Sequence, residues 1–153
     1  MIKELIDRLQ LISHPEGGYY RELYRSEQKV TAPGRMGELS AVTTIYYMLV
    51  NGQISRFHRI SADEIWHFYG GDPLELHIYD AENKKMSSQI LDSRTMVCVV
   101  PGGCWQAAHP LGEYTLCGCT VAPGFEFSDF SFMKDEGLIA EVRSVYPELE
   151  DMV

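Results

Sequence analysis

The feature that most constrains the fold is the spacing of tight-turn signals. Asn51-Gly52, Gly70-Gly71-Asp72-Pro73, Glu82-Asn83, Pro101-Gly102-Gly103, Leu111-Gly112 and Pro123-Gly124 cut the chain beyond its first third into short segments. Gly and Asn supply the backbone angles that hairpin turns require, and segments this short leave no room for helical crossovers, so antiparallel neighbours are expected. The intervening stretches are rich in Val, Ile, Thr, Tyr and Phe, which suit a pleated, half-buried surface. Strands are predicted over residues 19–24, 39–50, 54–59, 64–69 and 74–79, then 85–91, 96–100, 104–108, 114–122 and 125–132. Ile2, Leu5, Ile6 and Leu9 recur at helical spacing before Pro15, and Leu138, Ile139, Val142 and Val145 do so before Pro147. One helix therefore opens the chain and one lies near its end. The Gln28–Glu38 stretch, with Pro33, Gly34 and Gly37, reads as one long loop, and Glu148, Glu150 and Asp151 read as a solvated tail.

At 153 residues the chain has room for a single core, so one domain over 1–153 is expected. No apolar run approaches the roughly 18 residues of a membrane span, and Lys3, Glu4, Asp7 and Arg8 interrupt any secretory leader, so a cytoplasmic protein is expected, with no membrane partner. The formal charge of -9 repels a polyanion at long range and argues against nucleic acid. Cys98, Cys104, Cys117 and Cys119 form no C-x-x-C pair and read as buried free thiols outside any site.

Gly52, His58, Ile60, Glu64 and Gly71 follow the spacing G-x5-H-x-H-x3-E-x6-G of the first cupin motif, with Ile60 in place of the second histidine. In the second motif, G-x5-P-x-G-x2-H-x3-N, Pro101 and Gly103 are in place, while Thr95, Gln106 and Pro110 stand at the first glycine, the histidine and the asparagine. The segments His14–Glu22, Ser61–His67 and Val121–Phe125 resemble the signatures of an uncharacterised cupin family, DUF985 (Cupin_5). That resemblance covers nearly the whole chain. It implies an all-β fold, the double-stranded β-helix or jelly-roll barrel with short flanking N- and C-terminal helices. It also implies a homodimer with a ligand cavity in the barrel mouth, and it implies no established reaction.

Strand alternation puts His58 and Ile60 on one face, and the cupin register returns Glu64 to the barrel interior. Metal-bearing cupins hold a transition ion with two or three imidazoles and a carboxylate. Here the corresponding set would be His58, Glu64 and Gln106, with His67 or His77 in reserve, which is few strong donors for firm binding. The other reading needs no cofactor. Arg56-Phe57-His58 is similar to the Arg-x-x-His stretch of sugar-nucleotide epimerase cupins, offset by one position, in which the histidine is the base and no metal takes part. On that reading His58 moves a proton while Glu64 or Asp129 orients it. Arg56, sharing a face with His58, would draw an anionic group, Glu16 would sit near the rim, and Trp66, Trp105 and Gln106 would wall the ligand. Three functions stay open: a metal-independent isomerase or epimerase acting on a small polar metabolite such as a sugar derivative; a metal-dependent cupin enzyme using His58 and Glu64; and a ligand-binding or storage-like barrel that transforms nothing.

Overall fold

The computed structural model describes residues 1–153, and its chain forms two antiparallel sheets that face each other as a jelly roll. The strands are β1 (Ile12–Ser13), β2 (Tyr19–Arg25), β3 (Lys29–Val30), β4 (Leu39–Ser40), β5 (Thr43–Val50), β6 (Ser55–Arg59) and β7 (Asp63–Gly71). They continue as β8 (Leu74–Asp80), β9 (Lys85–Leu91), β10 (Val97–Val100), β11 (Trp105–Pro110), β12 (Tyr114–Ala122) and β13 (Ser131–Phe132). Six strands run in the order β1-β2-β5-β12-β7-β10, and five in the order β13-β6-β11-β8-β9; β3 and β4 pair by themselves. Helix α1 (Ile2–Leu9) lies on the surface and buries no residue completely, and α2 (Glu136–Val145) follows the last strand. No helix is long and apolar enough to cross a membrane.

The expected strands are present, with departures: the short strands β1 and β3 were not expected, and β3 lies in the stretch read as one long loop. Residues 39–50 split into β4 and β5, because Ser40 turns its hydroxyl back onto the carbonyls of Ser26 and Val42. The expected strand over 125–132 is a 3-10 turn at Phe127–Asp129 followed by the two-residue β13. The acidic C-terminus is no loose tail. Residues Pro147–Met152 form a 3-10 segment whose Leu149 and Met152 are buried.

Register decides which side chains meet. Gln106 stands opposite both His58 and Ile78, so these three share the inward face of the five-stranded sheet. Tyr47, Leu49, Trp66, Phe68, Leu74 and Leu76 belong to the cluster that fills the barrel. A second cluster lies outside the barrel, where Phe57, Tyr79 and Trp105 pack against Val142, Leu149 and Met152 of the C-terminal segment. Toward the other end of the barrel the filling thins to Ile60, Ala62 and Val121, with Phe125 and Phe130 against them. There the barrel stays hollow.

Candidate functional site

The hollow is a cavity of about 260 Å³. His14, Glu16, His58 and Glu64 are among its ionisable groups, and Ile45, Ile60, Val121 and Phe130 are among its apolar walls. Strand β6 delivers His58 and β7 delivers Glu64, as the motif spacing predicts. Glu16 arrives from the β1–β2 loop through a tight backbone path. Gly17 and Gly18 adopt φ of 102° and 80°, and a Cβ on them would stand 2.6 Å from the carbonyl oxygens of Ile54 and Met48 respectively. Only glycine fits such a passage without strain. Tyr47 fastens it by donating to the Gly17 carbonyl at 2.7 Å.

The His58 ring is fixed at both ends. Its Nδ1 lies 2.7 Å from the Arg56 carbonyl oxygen, which can only accept, so Nδ1 carries a proton. Its Nε2 lies 3.1 Å from Glu16 Oε2, and both side chains are more than nine-tenths buried. A separation this short between two would-be acceptors requires a shared proton. Burial pushes the Glu16 carboxyl up to about 8 and holds the His58 imidazole below its ordinary value, so the proton resides in this pair at neutral pH. Phe130 stacks on the imidazole, with centroids 5.0 Å apart. His14 Nδ1 accepts the Glu16 backbone N–H at 3.0 Å; burial, with His58 nearby, lowers its pKa to about 4. His14 is therefore neutral.

Glu64 is raised to about 7, chiefly by burial, with His58 working against the rise. Its Oε1 accepts from Gln106 Nε2 at 3.1 Å, and Gln106 Oε1 in turn accepts from Trp66 Nε1 at 2.8 Å. The indole thus orients the amide, and the amide orients the carboxyl. Gln106 and Trp66 stand behind Glu64 and do not line the cavity, a correction to their expected place as ligand walls.

Four further expectations need correction. Arg56 is exposed, because β6 carries a bulge: Gln106 pairs with His58 but Ala108 with Ser55, so the extra residue breaks the alternation that would have turned Arg56 inward. The cation at the cavity is Arg25, from β2. Trp105 lies on the outer face under Arg59, whose guanidinium sits 4.6 Å from the indole ring. Asp129 accepts from the backbone N–H and hydroxyl of Ser61, both at 2.9 Å, and pairs with Arg35 at 3.5 Å; it orients no histidine. His67 stacks on Tyr69, and His77 faces outward from the five-stranded sheet, so neither reserves a donor for the cavity. Cys119, left out by the sequence reading, lines the cavity as a buried thiol.

A cupin metal does not fit this donor set. Ile60 has no donor, Gln106 uses its oxygen on Trp66 and turns its amino group to Glu64, and His58 Nε2 is engaged by Glu16. At the mouth Arg25 meets Glu22 at 2.6 Å and Glu126 at 3.1 Å, so its charge is already matched.

Comparison with known proteins agrees with this fold. The uncharacterised Saccharomyces cerevisiae protein YML079W is 32% identical over 154 residues, covering 88% of this chain and 76% of the yeast protein. A hypothetical protein from Leishmania major superposes with a TM-score of 0.82 at 31% identity, covering 99% of this chain and 95% of its own. Protein SO0799 of Shewanella oneidensis gives 0.80 at 33%, with coverage of 99% and 93%. Bacillus subtilis oxalate decarboxylase, at 13% identity and a TM-score of 0.60, shares the barrel alone and is matched over 36% of its length. Residues 3–133 match the family described as Cupin superfamily (DUF985), and with relatives above 30% identity along the same span, the chain belongs to that family.

Proposed function

We propose that the barrel binds a small, uncharged polar metabolite, of which a sugar derivative is the leading class, and moves a proton on it without a metal. The observation that carries this reading is the His58–Glu16 pair sharing a proton at 3.1 Å beside a second carboxyl, Glu64, inside an enclosed cavity. Two proton-exchanging centres in one chamber are what isomerisation or epimerisation next to a carbonyl needs: one removes a proton from carbon, the other supplies one. Glu64 suits the first task. Its pKa of about 7 leaves a useful fraction ionised at neutral pH, and Gln106 holds one oxygen while the other stays available. The C–H electron pair moves into the adjacent carbonyl as an enolate, and the proton held by Glu16 and His58 returns to oxygen or carbon. The matched charge of Arg25 removes the reason for an anionic ligand.

Metabolite capture on the purified protein, read by mass spectrometry, identifies the ligand; incubation with it in deuterium oxide then reads the chemistry. The expected result is solvent deuterium at one carbon with the native chain and none with Glu64→Gln or His58→Gln. Return of the ligand unlabelled would leave a binding barrel and overturn the catalytic half, and capture of no metabolite would overturn both. A homodimer is proposed as the working form.

A further inference from the structure

The outer face of the five-stranded sheet carries a second chemical cluster, unrelated to the barrel cavity. Alternation along β8 sends Glu75 and His77 outward, and β11 sets His109 opposite Glu75. One donor atom from each of the three lies within 4.8 Å of the others. Glu75 Oε2 stands 3.4 Å from His109 Nε2 and 3.9 Å from His77 Nε2, and no hydrogen bond joins the three side chains. The imidazoles are stacked, with centroids 5.7 Å apart and planes 14° apart.

His77 is the telling residue. Its side chain is 5% exposed, its Nδ1 sits 2.7 Å from Ser88 Oγ, and its Nε2 has no partner at all. With Nδ1 donating to the serine, Nε2 presents a bare lone pair to the cluster. A buried acceptor left unsatisfied forfeits its hydration with nothing in return, so such an atom calls for an explanation. A hydroxyl fixing the far nitrogen of an imbalanced imidazole is also how metal-ligating histidines are oriented. The cluster forms part of a cleft of about 670 Å³ that Glu148 and Asp151 of the C-terminal segment also line, so solvent can deliver an ion.

We propose that Glu75, His77 and His109 bind one divalent transition metal ion of the zinc class on the outer wall of the barrel. Two imidazole nitrogens are borderline donors that suit this class over magnesium or calcium, and a single carboxylate oxygen is a common third ligand of it. Bonds of roughly 2.0–2.2 Å at tetrahedral angles separate donors by about 3.3–3.6 Å. Of the three pairs, one already stands at 3.4 Å, a second closes from 3.9 Å by a small movement of the partly exposed Glu75 carboxylate, and the two imidazoles, within 4.8 Å of each other, complete the set. Water or an acidic residue of the cleft completes the shell.

Titration of tag-free, chelator-treated protein with Zn²⁺, followed by calorimetry, tests the site. One equivalent per chain is expected, with affinity reduced tenfold or more in His109→Ala and in Glu75→Gln, and unchanged in the barrel variant His58→Gln. Because His77 is buried and its removal could unfold the chain, Ser88→Ala serves as the indirect probe. Losing the group that fixes the imidazole should weaken zinc by about tenfold or more while the melting temperature of the metal-free protein holds. Equal binding by the outer-face variants, loss of binding in His58→Gln, or no zinc bound at micromolar concentration would each overturn the assignment.

Discussion

Two buried carboxyls give the protein an unusual pH response. Glu16 and Glu64 stay protonated in the fold to about 8 and about 7, through burial, whereas the unfolded chain ionises both near 4.5. Between those limits the native state binds more protons than the unfolded state, so stability falls as pH rises. His14 and His58, lowered by burial, act in the opposite sense, and only below their ordinary value of 6.5. Denaturant melts at about pH 6.5 and 8.5 should therefore show a loss on the order of 2 kcal/mol. The double variant Glu16→Gln, Glu64→Gln should flatten that slope, and an unaltered slope would refute the assignment. His58 and Glu64 were legible because motif spacing fixes their strands and register. Their partners were not: Glu16 reaches His58, and Arg25 reaches the mouth, only once loops and sheets fold together, and no period in the sequence encodes such meetings. Gly17 has a narrower test. Gly17→Ala forces a side chain into a left-handed conformation and against the Ile54 carbonyl, and should cost about 1–3 kcal/mol in chemical denaturation.

Among the elements, the strands could be read because turn residues bound them and β-branched residues fill them. The stretch from Phe125 to Phe132 could not, since its aromatic density mimics a strand while Phe125, Phe127 and Phe130 serve as cavity wall. The bulge in β6 was equally silent: one added residue leaves the composition of a strand unchanged yet swings Arg56 outward, so that only its carbonyl oxygen touches the site. Arg56→Ala should accordingly leave ligand capture and deuterium exchange at the native level, and a tenfold loss of either would restore the arginine to the site. The C-terminal segment has the opposite character, acidic in sequence and structural in effect. Leu149, 4% exposed among Phe57, Trp105 and Val142, anchors it to the outer sheet, and Leu149→Ala should cost about 2–4 kcal/mol by equilibrium unfolding.

For the molecule as a whole, the jelly roll was legible from turn spacing and family motifs, and the same family resemblance is what implies a dimer. Strands β9 and β10 end the two sheets, and the six-stranded sheet turns Tyr69, Val97 and Val99, each about half exposed, toward solvent. Light scattering at micromolar concentration should return the mass of two chains; a single-chain mass would remove the dimer from the proposal. The barrel itself is packed solid at one end and hollow at the other, and that asymmetry reaches beyond this protein. Cohesion is vested in the filled half, so the chamber is a socket that drift or an engineer can retool. Trimming Ile60 or Val121 would change which guests are admitted while the scaffold beneath endures.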